Sequence, residues 1–182
     1  MVLWLIGLSG SGKSTLAKEI HRRLKATHPN TVLLDGDEVR EVFGKSAGHT
    51  VEGRQLNAER ITRLCQLLDR QGIHVVCAIL SLFHESQRWN REHLRDYFEV
   101  YLEAPMDQLV ARDSKGLYRA ALRGEITDVV GVDIPFSPPR QPDLVARNDG
   151  SLEALLAHAD RIVRLLPGLE PAAAVSPGGP GL

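Results

Sequence analysis

Gly7-Leu8-Ser9-Gly10-Ser11-Gly12-Lys13-Ser14 decides how the rest of the chain is read. The stretch matches G-x-x-x-x-G-K-[ST], and its flanks are the ones that motif requires. On the N-terminal side, Val2-Leu3-Trp4-Leu5-Ile6 is an unbroken apolar run, as in a strand buried on both faces of a parallel sheet. On the other side, Leu16, Ala17, Ile20 and Leu24 recur on one face of a helix predicted over 13–26. Glycines in such a loop let successive N–H groups turn inward around phosphates. The helix start aims its positive end at the same anion. Lys13 is then placed for the β- and γ-phosphates of ATP, and the Ser14 hydroxyl for Mg²⁺. The ATP-binding set read from the motif is Gly7, Ser9, Gly10, Ser11, Gly12, Lys13, Ser14 and Thr15. A glycine-rich turn that binds nothing would not explain why all four fixed positions and both flanks are filled.

Strand and helix alternate from there onward. Strands are predicted at 31–34, 74–80, 98–102 and 143–146, and helices at 54–71, 85–95, 106–113, 115–123 and 151–166. Ile61, Leu64, Cys65 and Leu68 are the core-facing positions of the helix over 54–71, which stops at Gly72. Residues 38–53 read as a surface excursion with a short helical piece, and 124–142 as proline-rich and irregular. This alternation builds an α/β fold of the P-loop NTPase type, a parallel sheet with helices on both faces. One domain over 1–166 is expected, followed by a tail over 167–182 whose Pro, Gly and Ala content points to disorder.

Composition removes several classes of function. The chain has 182 residues, is 43% hydrophobic, and carries 22 Lys and Arg against 23 Asp and Glu. That balance gives no global field to draw it to nucleic acid or a membrane. No stretch reaches the roughly 18–20 apolar residues of a membrane span, and the apolar N-terminus has neither a basic leader nor a cleavage site. Cys65 and Cys77 match no metal or redox spacing and read as buried, reduced thiols suited to the cytoplasm. The seven histidines show no zinc-ligand spacing. A guanine-selecting Asn-Lys-x-Asp run, which a regulatory nucleotide switch would need, is missing from the sequence.

Asp35-Gly36-Asp37 closes the second predicted strand, at the sheet edge where ligands lie in open α/β folds. Two roles stay open for Asp37 on the residues alone. It can serve Mg²⁺ or an attacking hydroxyl, or it can simply cap the following helix.

Taken in order, Gly7–Thr15, Asp35-Gly36-Asp37 with Arg40, Arg54 with Asn57, Arg60-Ile61, Phe98-Glu99-Val100-Tyr101, Arg112-Asp113-Ser114-Lys115-Gly116-Leu117-Tyr118 and Gly131-Val132-Asp133 resemble the adenylyl-sulfate (APS) kinases. The resemblance spans about residues 2–166. It implies phosphoryl transfer from ATP to the ribose 3′-hydroxyl of a small nucleotide, with Lys13 and Asp37 as the catalytic pair. It further implies Ser14 and Asp37 at the metal, and Asp35, Arg40, Arg54, Asn57 and Ser81 toward the acceptor. Lys115, Gly116 and Leu117 would lie in a lid near 112–135. A homodimer is the assembly common in the family. Arg54 and Asn57, three apart on one helix, are expected to share a face.

The pattern departs from the family where the acceptor base should sit. Family members carry Gly-Phe-Ser and Phe-Thr-Gly, whose phenylalanines sandwich adenine. Here the matching segments are Gly48-His49-Thr50 and Val129-Val130-Gly131. The family's Asp-Arg is Gly53-Arg54, and its Ile-Ser-Pro is Leu80-Ser81-Leu82. These positions, His49 and Val130 above all, resemble a capsule-associated branch of the family that includes cytidine diphosphoramidate kinases. Adenosine 5′-phosphosulfate and a cytidine diphosphoramidate-type nucleotide both stand as acceptors at this point.

Overall fold

The computed structural model describes residues 1–44, 48–113 and 115–169. Five strands and seven helices follow one another in the described chain. The strands are β1 (Val2–Ile6), β2 (Thr31–Asp35), β3 (His74–Ile79), β4 (Tyr97–Glu103) and β5 (Leu144–Arg147). The helices are α1 (Lys13–Thr27), α2 (Gly36–Val42), α3 (Val51–Arg70), α4 (His84–His93), α5 (Met106–Arg112), α6 (Leu117–Leu122) and α7 (Leu152–Leu165). All strand pairings are parallel, in the order β2-β3-β1-β4-β5.

The apolar run 2–6 becomes the central strand because both of its faces find a partner. Leu3 and Leu5 face α1 and α7, packing with Leu16, Ile20, Leu155 and Ile162. Val2, Trp4 and Ile6 face the other way, onto Ile61 and Cys65 of α3. All five are fully buried. Each such side chain contributes about 1.5–3 kcal/mol, so this one strand accounts for a gross burial term comparable to the whole net stability of about 5–15 kcal/mol. Cys65 and Cys77 lie together in the second layer as free thiols. Burial, then the neighbouring Cys65, pushes the Cys77 thiol well above its ordinary value, which keeps it protonated and unreactive.

The predicted boundaries shift at three places. Residues 36–42 form a helix, and α3 starts at Val51 because Thr50 caps it, its hydroxyl accepting from the Gly53 N–H at 3.2 Å. Leu64, expected in the core, is only half-buried and lines a surface groove with Phe43 and Trp89. Within the segment expected as a tail, Leu169 packs against the core layer of α1 and α7. From Glu170 onward the predicted tail lies outside the described residues, as does Ser114 of the lid motif. Ser151 caps α7 as expected, accepting from Ala154 N–H at 3.2 Å. No helix among the described residues is long and apolar enough to cross a membrane.

Candidate functional site

The glycine loop leaves the C-terminal end of β1 and turns directly into α1. Gly12 sits at φ 96°, a left-handed conformation that side chains avoid. A Cβ there would meet Asn148 Nδ2 at 2.8 Å and Leu155 Cδ2 at 2.9 Å. Gly7 is constrained by space: its Cβ would stand 2.7 Å from the Leu102 carbonyl oxygen. No side chain caps the N-terminus of α1, and no acidic residue occupies its first turn. In contrast, Asp35, Thr50 and Ser151 cap α2, α3 and α7. The start of α1 thus presents free N–H donors and an uncompensated positive dipole end, which is what a phosphate requires.

Lys13 reaches back over the loop, its Nζ donating to the Leu8 carbonyl at 2.7 Å. Desolvation lowers its pKa to about 8, against the opposing pull of Asp35 and Asp37. The Ser14 hydroxyl donates to Asp35 Oδ2 at 2.5 Å. These two hard oxygen ligands suit Mg²⁺, which takes one or two protein oxygens and fills its shell with water and phosphate. Asp35, two residues before Asp37, is the carboxylate beside Ser14.

The same geometry removes one of the two roles left open for Asp37, the capping of the following helix. Asp35 is the N-cap of α2, accepting the Asp37 N–H at 3.0 Å. Asp37 does no capping, and its side chain is 78% exposed, pointing into a cleft of about 750 Å³. There it accepts from Lys115 Nζ at 3.0 Å. That bond holds the Asp37 carboxyl below its ordinary value, against desolvation, and raises Lys115 in turn.

Arg40, His49, Arg54, Lys115, Leu117 and Val130 line this cleft together with Ser9 and Asp37. Arg40 donates to the Gly48 carbonyl. Arg54 donates through Nε to the His49 carbonyl at 2.7 Å and through Nη2 to the Asp128 carbonyl at 2.8 Å. Desolvation, and then the cations Arg40 and Arg54, push the His49 imidazole below its usual value, so it is neutral at pH 7. Desolvation and Arg40 also lower Arg54, though a guanidinium keeps its charge. Gly116 is the N-cap of α6, between Lys115 and Leu117, and Thr15 lies exposed on the first turn of α1.

Four residues expected at the acceptor, Asp35, Asn57, Ser81 and Gly116, are not in the cleft lining, and Asp35 is turned to Ser14 instead. Ser81 is buried, its hydroxyl accepting from Gln87 Nε2 at 3.3 Å, and does not line the cleft. Asn57 is 4% exposed and does not line the cleft, while Arg54 stands at its wall. The three-residue spacing on α3 therefore does not bring both side chains into the cleft.

Three residues outside the predicted set hold the site in shape. Asn148, just past β5, donates from Nδ2 to the Ser11 carbonyl at 2.8 Å. Its place one residue beyond an edge strand was the available signal. Tyr118 Oη donates to the Ser9 carbonyl at 2.8 Å, tying α6 to the phosphate loop. Asp113 is buried and accepts the N–H groups of Leu117 and Arg119 at 2.8 and 3.0 Å, which fixes the start of α6.

A parallel sheet ordered this way, with a phosphate cradle at the end of its central strand and a nucleotide-sized cleft beside it, is the architecture of the P-loop phosphotransferases. Within that class the chain belongs to the adenylylsulphate kinase family, whose profile matches residues 1–147. It is 42% identical to the cytidine diphosphoramidate kinase of Campylobacter jejuni, over 81% of this chain and 85% of that one. It is 40% identical to the adenylyl-sulfate kinase of Paraburkholderia xenovorans, over 86% and 91% of the two chains. The APS kinase CysC of Mycobacterium tuberculosis, solved in complex with AMPPNP and APS, superposes with a TM-score of 0.80 at 32% identity. That match covers 90% of this chain and 95% of that one.

Proposed function

We propose that the protein transfers the γ-phosphoryl group of ATP to the ribose 3′-hydroxyl of adenosine 5′-phosphosulfate, giving 3′-phosphoadenosine 5′-phosphosulfate. The observation that carries this reading is the position of Asp37. Its carboxylate projects between the phosphate loop on one side and the Arg40–Arg54 cleft on the other. The kinase domain would comprise residues 1–166 with a lid near 112–135, acting as a cytoplasmic homodimer.

Gly7–Thr15 would cradle the triphosphate through backbone N–H groups, with Lys13 on the β- and γ-phosphates. Mg²⁺ would be held by Ser14, with Asp35 beside it and Asp37 within reach, and would neutralise charge on the phosphates. Asp37, ionised because Lys115 holds its pKa down, would accept a hydrogen bond from the 3′-hydroxyl and aim it in line with the γ-phosphorus. Arg40 and Arg54 offer planar forks to the acceptor's 5′-anion. The lid helix α6, with Lys115, Gly116 and Leu117 at its head, would keep water from the phosphoryl group.

A specific observation favours a second acceptor, a cytidine diphosphoramidate-type nucleotide. Among the described residues no Phe, Tyr or Trp lines the cleft, and the ring that does is the His49 imidazole. Val130 is buried in the wall where the family places an aromatic ring. Stacking is worth about 1–3 kcal/mol per base, so adenine loses part of its usual hold. The deciding measurement is kcat/KM for adenosine 5′-phosphosulfate and for cytidine diphosphoramidate with purified protein. At least a tenfold advantage for the sulfate-bearing nucleotide is expected (about 1.4 kcal/mol), and the reverse preference selects the second acceptor. ATP turnover that ignores both acceptors would contradict either kinase reading.

The depressed Lys13 pKa has a consequence of definite sign. The free protein holds that proton below about pH 8 and releases it above, whereas bound phosphates favour the charged form. ATP affinity is therefore expected to be flat at lower pH and to fall by up to about tenfold per pH unit above pH 8. Calorimetric titration across that interval tests this; constant affinity would show that Lys13 does not carry the charge that ATP meets.

A further inference from the structure

Asp133, in the Gly131-Val132-Asp133 segment, has no part in the chemistry above, yet it organises one wall of the cleft. Its carboxylate accepts two consecutive backbone N–H groups, Asp128 at 2.5 Å and Val129 at 2.7 Å. The Asp128 backbone lies at φ 64°, the only positive φ of a non-glycine residue among the described residues. That conformation costs on the order of 1–3 kcal/mol and persists only where neighbours enforce it. It is the conformation that turns the Asp128 carbonyl onto Arg54 Nη2 at 2.8 Å. The turn is closed on itself as well, since the N–H groups of Val132, Asp133 and Ile134 reach the Val129 carbonyl and Gly131 N–H reaches that of Ile134.

We infer that Asp133 is a positioning residue for the acceptor site: by gripping the Asp128 and Val129 N–H groups it holds the Asp128 carbonyl where it orients Arg54. The inference rests on the assignment of the Arg40–Arg54 cleft to the acceptor nucleotide. Asp133 touches no substrate; it acts through one strained peptide. Ionised, it is an acceptor only and can receive both bonds at once, whereas an asparagine has one carbonyl oxygen and sets its NH₂ against the second N–H. Arg54 would then keep its Nε bond to the His49 carbonyl but lose the second point that fixes the plane of its fork.

The test is a double-mutant cycle on steady-state kinetics with the acceptor that the wild-type protein phosphorylates. Asp133→Asn is expected to raise the acceptor KM about tenfold, with KM for ATP within about twofold of wild type. In an Arg54→Ala background the same change is expected to have almost no further effect, because the residue through which it acts is gone. Full additivity of the two substitutions, or an equal rise in both KM values, overturns the inference. Asp128→Gly supplies a second readout. Glycine adopts φ 64° unaided, so adding it to Asp133→Asn should recover at least about a threefold part of the lost acceptor affinity. No recovery counts against the inference. A wild-type protein that phosphorylates no nucleotide would instead overturn the function assigned to the cleft, so the two failures are distinct.

Discussion

Asp37→Asn is expected to lower kcat by about 10²–10⁴-fold while leaving the ATP dissociation constant within a few-fold of wild type. The capping of α2 belongs to Asp35, so replacing Asp37 removes no structural hydrogen bond of that helix. Its partner is Lys115, and both side chains are largely exposed, so folding stability should barely change. What would be lost is the anionic acceptor that the proposed mechanism sets against the attacking hydroxyl. Lys115 keeps Asp37 ionised and therefore makes it a weak base. Phosphoryl transfer through a loose transition state asks more for orientation and charge than for early proton removal, so such a group suffices. Turnover within tenfold of wild type would remove Asp37 from the mechanism.

Gly12→Ala should have the other large effect, and on a different quantity. The methyl group must occupy φ 96° and would arrive 2.8 Å from Asn148 Nδ2 and 2.9 Å from Leu155 Cδ2. Leu155 belongs to the core layer, and Asn148 is the residue that holds the Ser11 carbonyl. The loop must therefore deform where its N–H groups converge. A stability loss of about 2–4 kcal/mol is expected, together with a loss of ATP affinity of about a hundredfold, since misdirected amides no longer point at the phosphates. Denaturant melts and nucleotide titrations separate the two. Wild-type ATP affinity in a folded Gly12→Ala protein would show that the loop geometry is not what binds the triphosphate.

The fold was legible where periodicity carries it. Val2–Ile6 could only be a doubly covered strand, and Leu16, Ala17, Ile20 and Leu24 could only be one helix face; all are buried as such. α2 was harder, because Gly36-Asp37-Glu38 has little apolar content and its helix is nucleated by the Asp35 cap. The donor loop was legible because its motif is contiguous. The cleft beside it has no contiguous motif, being assembled from residues near 40, 48–54 and 115–130; Arg40, His49, Arg54, Lys115, Leu117 and Val130 of its lining were reached only through the family resemblance. Which of two aspartates two residues apart turns back onto a backbone N–H is a matter of rotamer, invisible in the string. Depth is equally invisible: Ser81 and Asn57 carry suitable chemistry, but one bonds Gln87 and both are buried. Tyr118 and Asn148 act on carbonyls of the phosphate loop more than a hundred residues away in sequence, a pairing that only the folded chain reveals.

The strand order has a consequence for how the protein is made. β1 is synthesised first but pairs on both sides with later strands, Val2 with Val75 of β3 and with Tyr97 of β4. At about 5–20 residues per second, its nearest partner leaves the ribosome about 4 to 15 s later. For that interval a five-residue segment of Val, Leu, Trp, Leu and Ile has no sheet to enter. The strand that ends in the phosphate loop is thus also the segment of the nascent chain most in need of protection from aggregation.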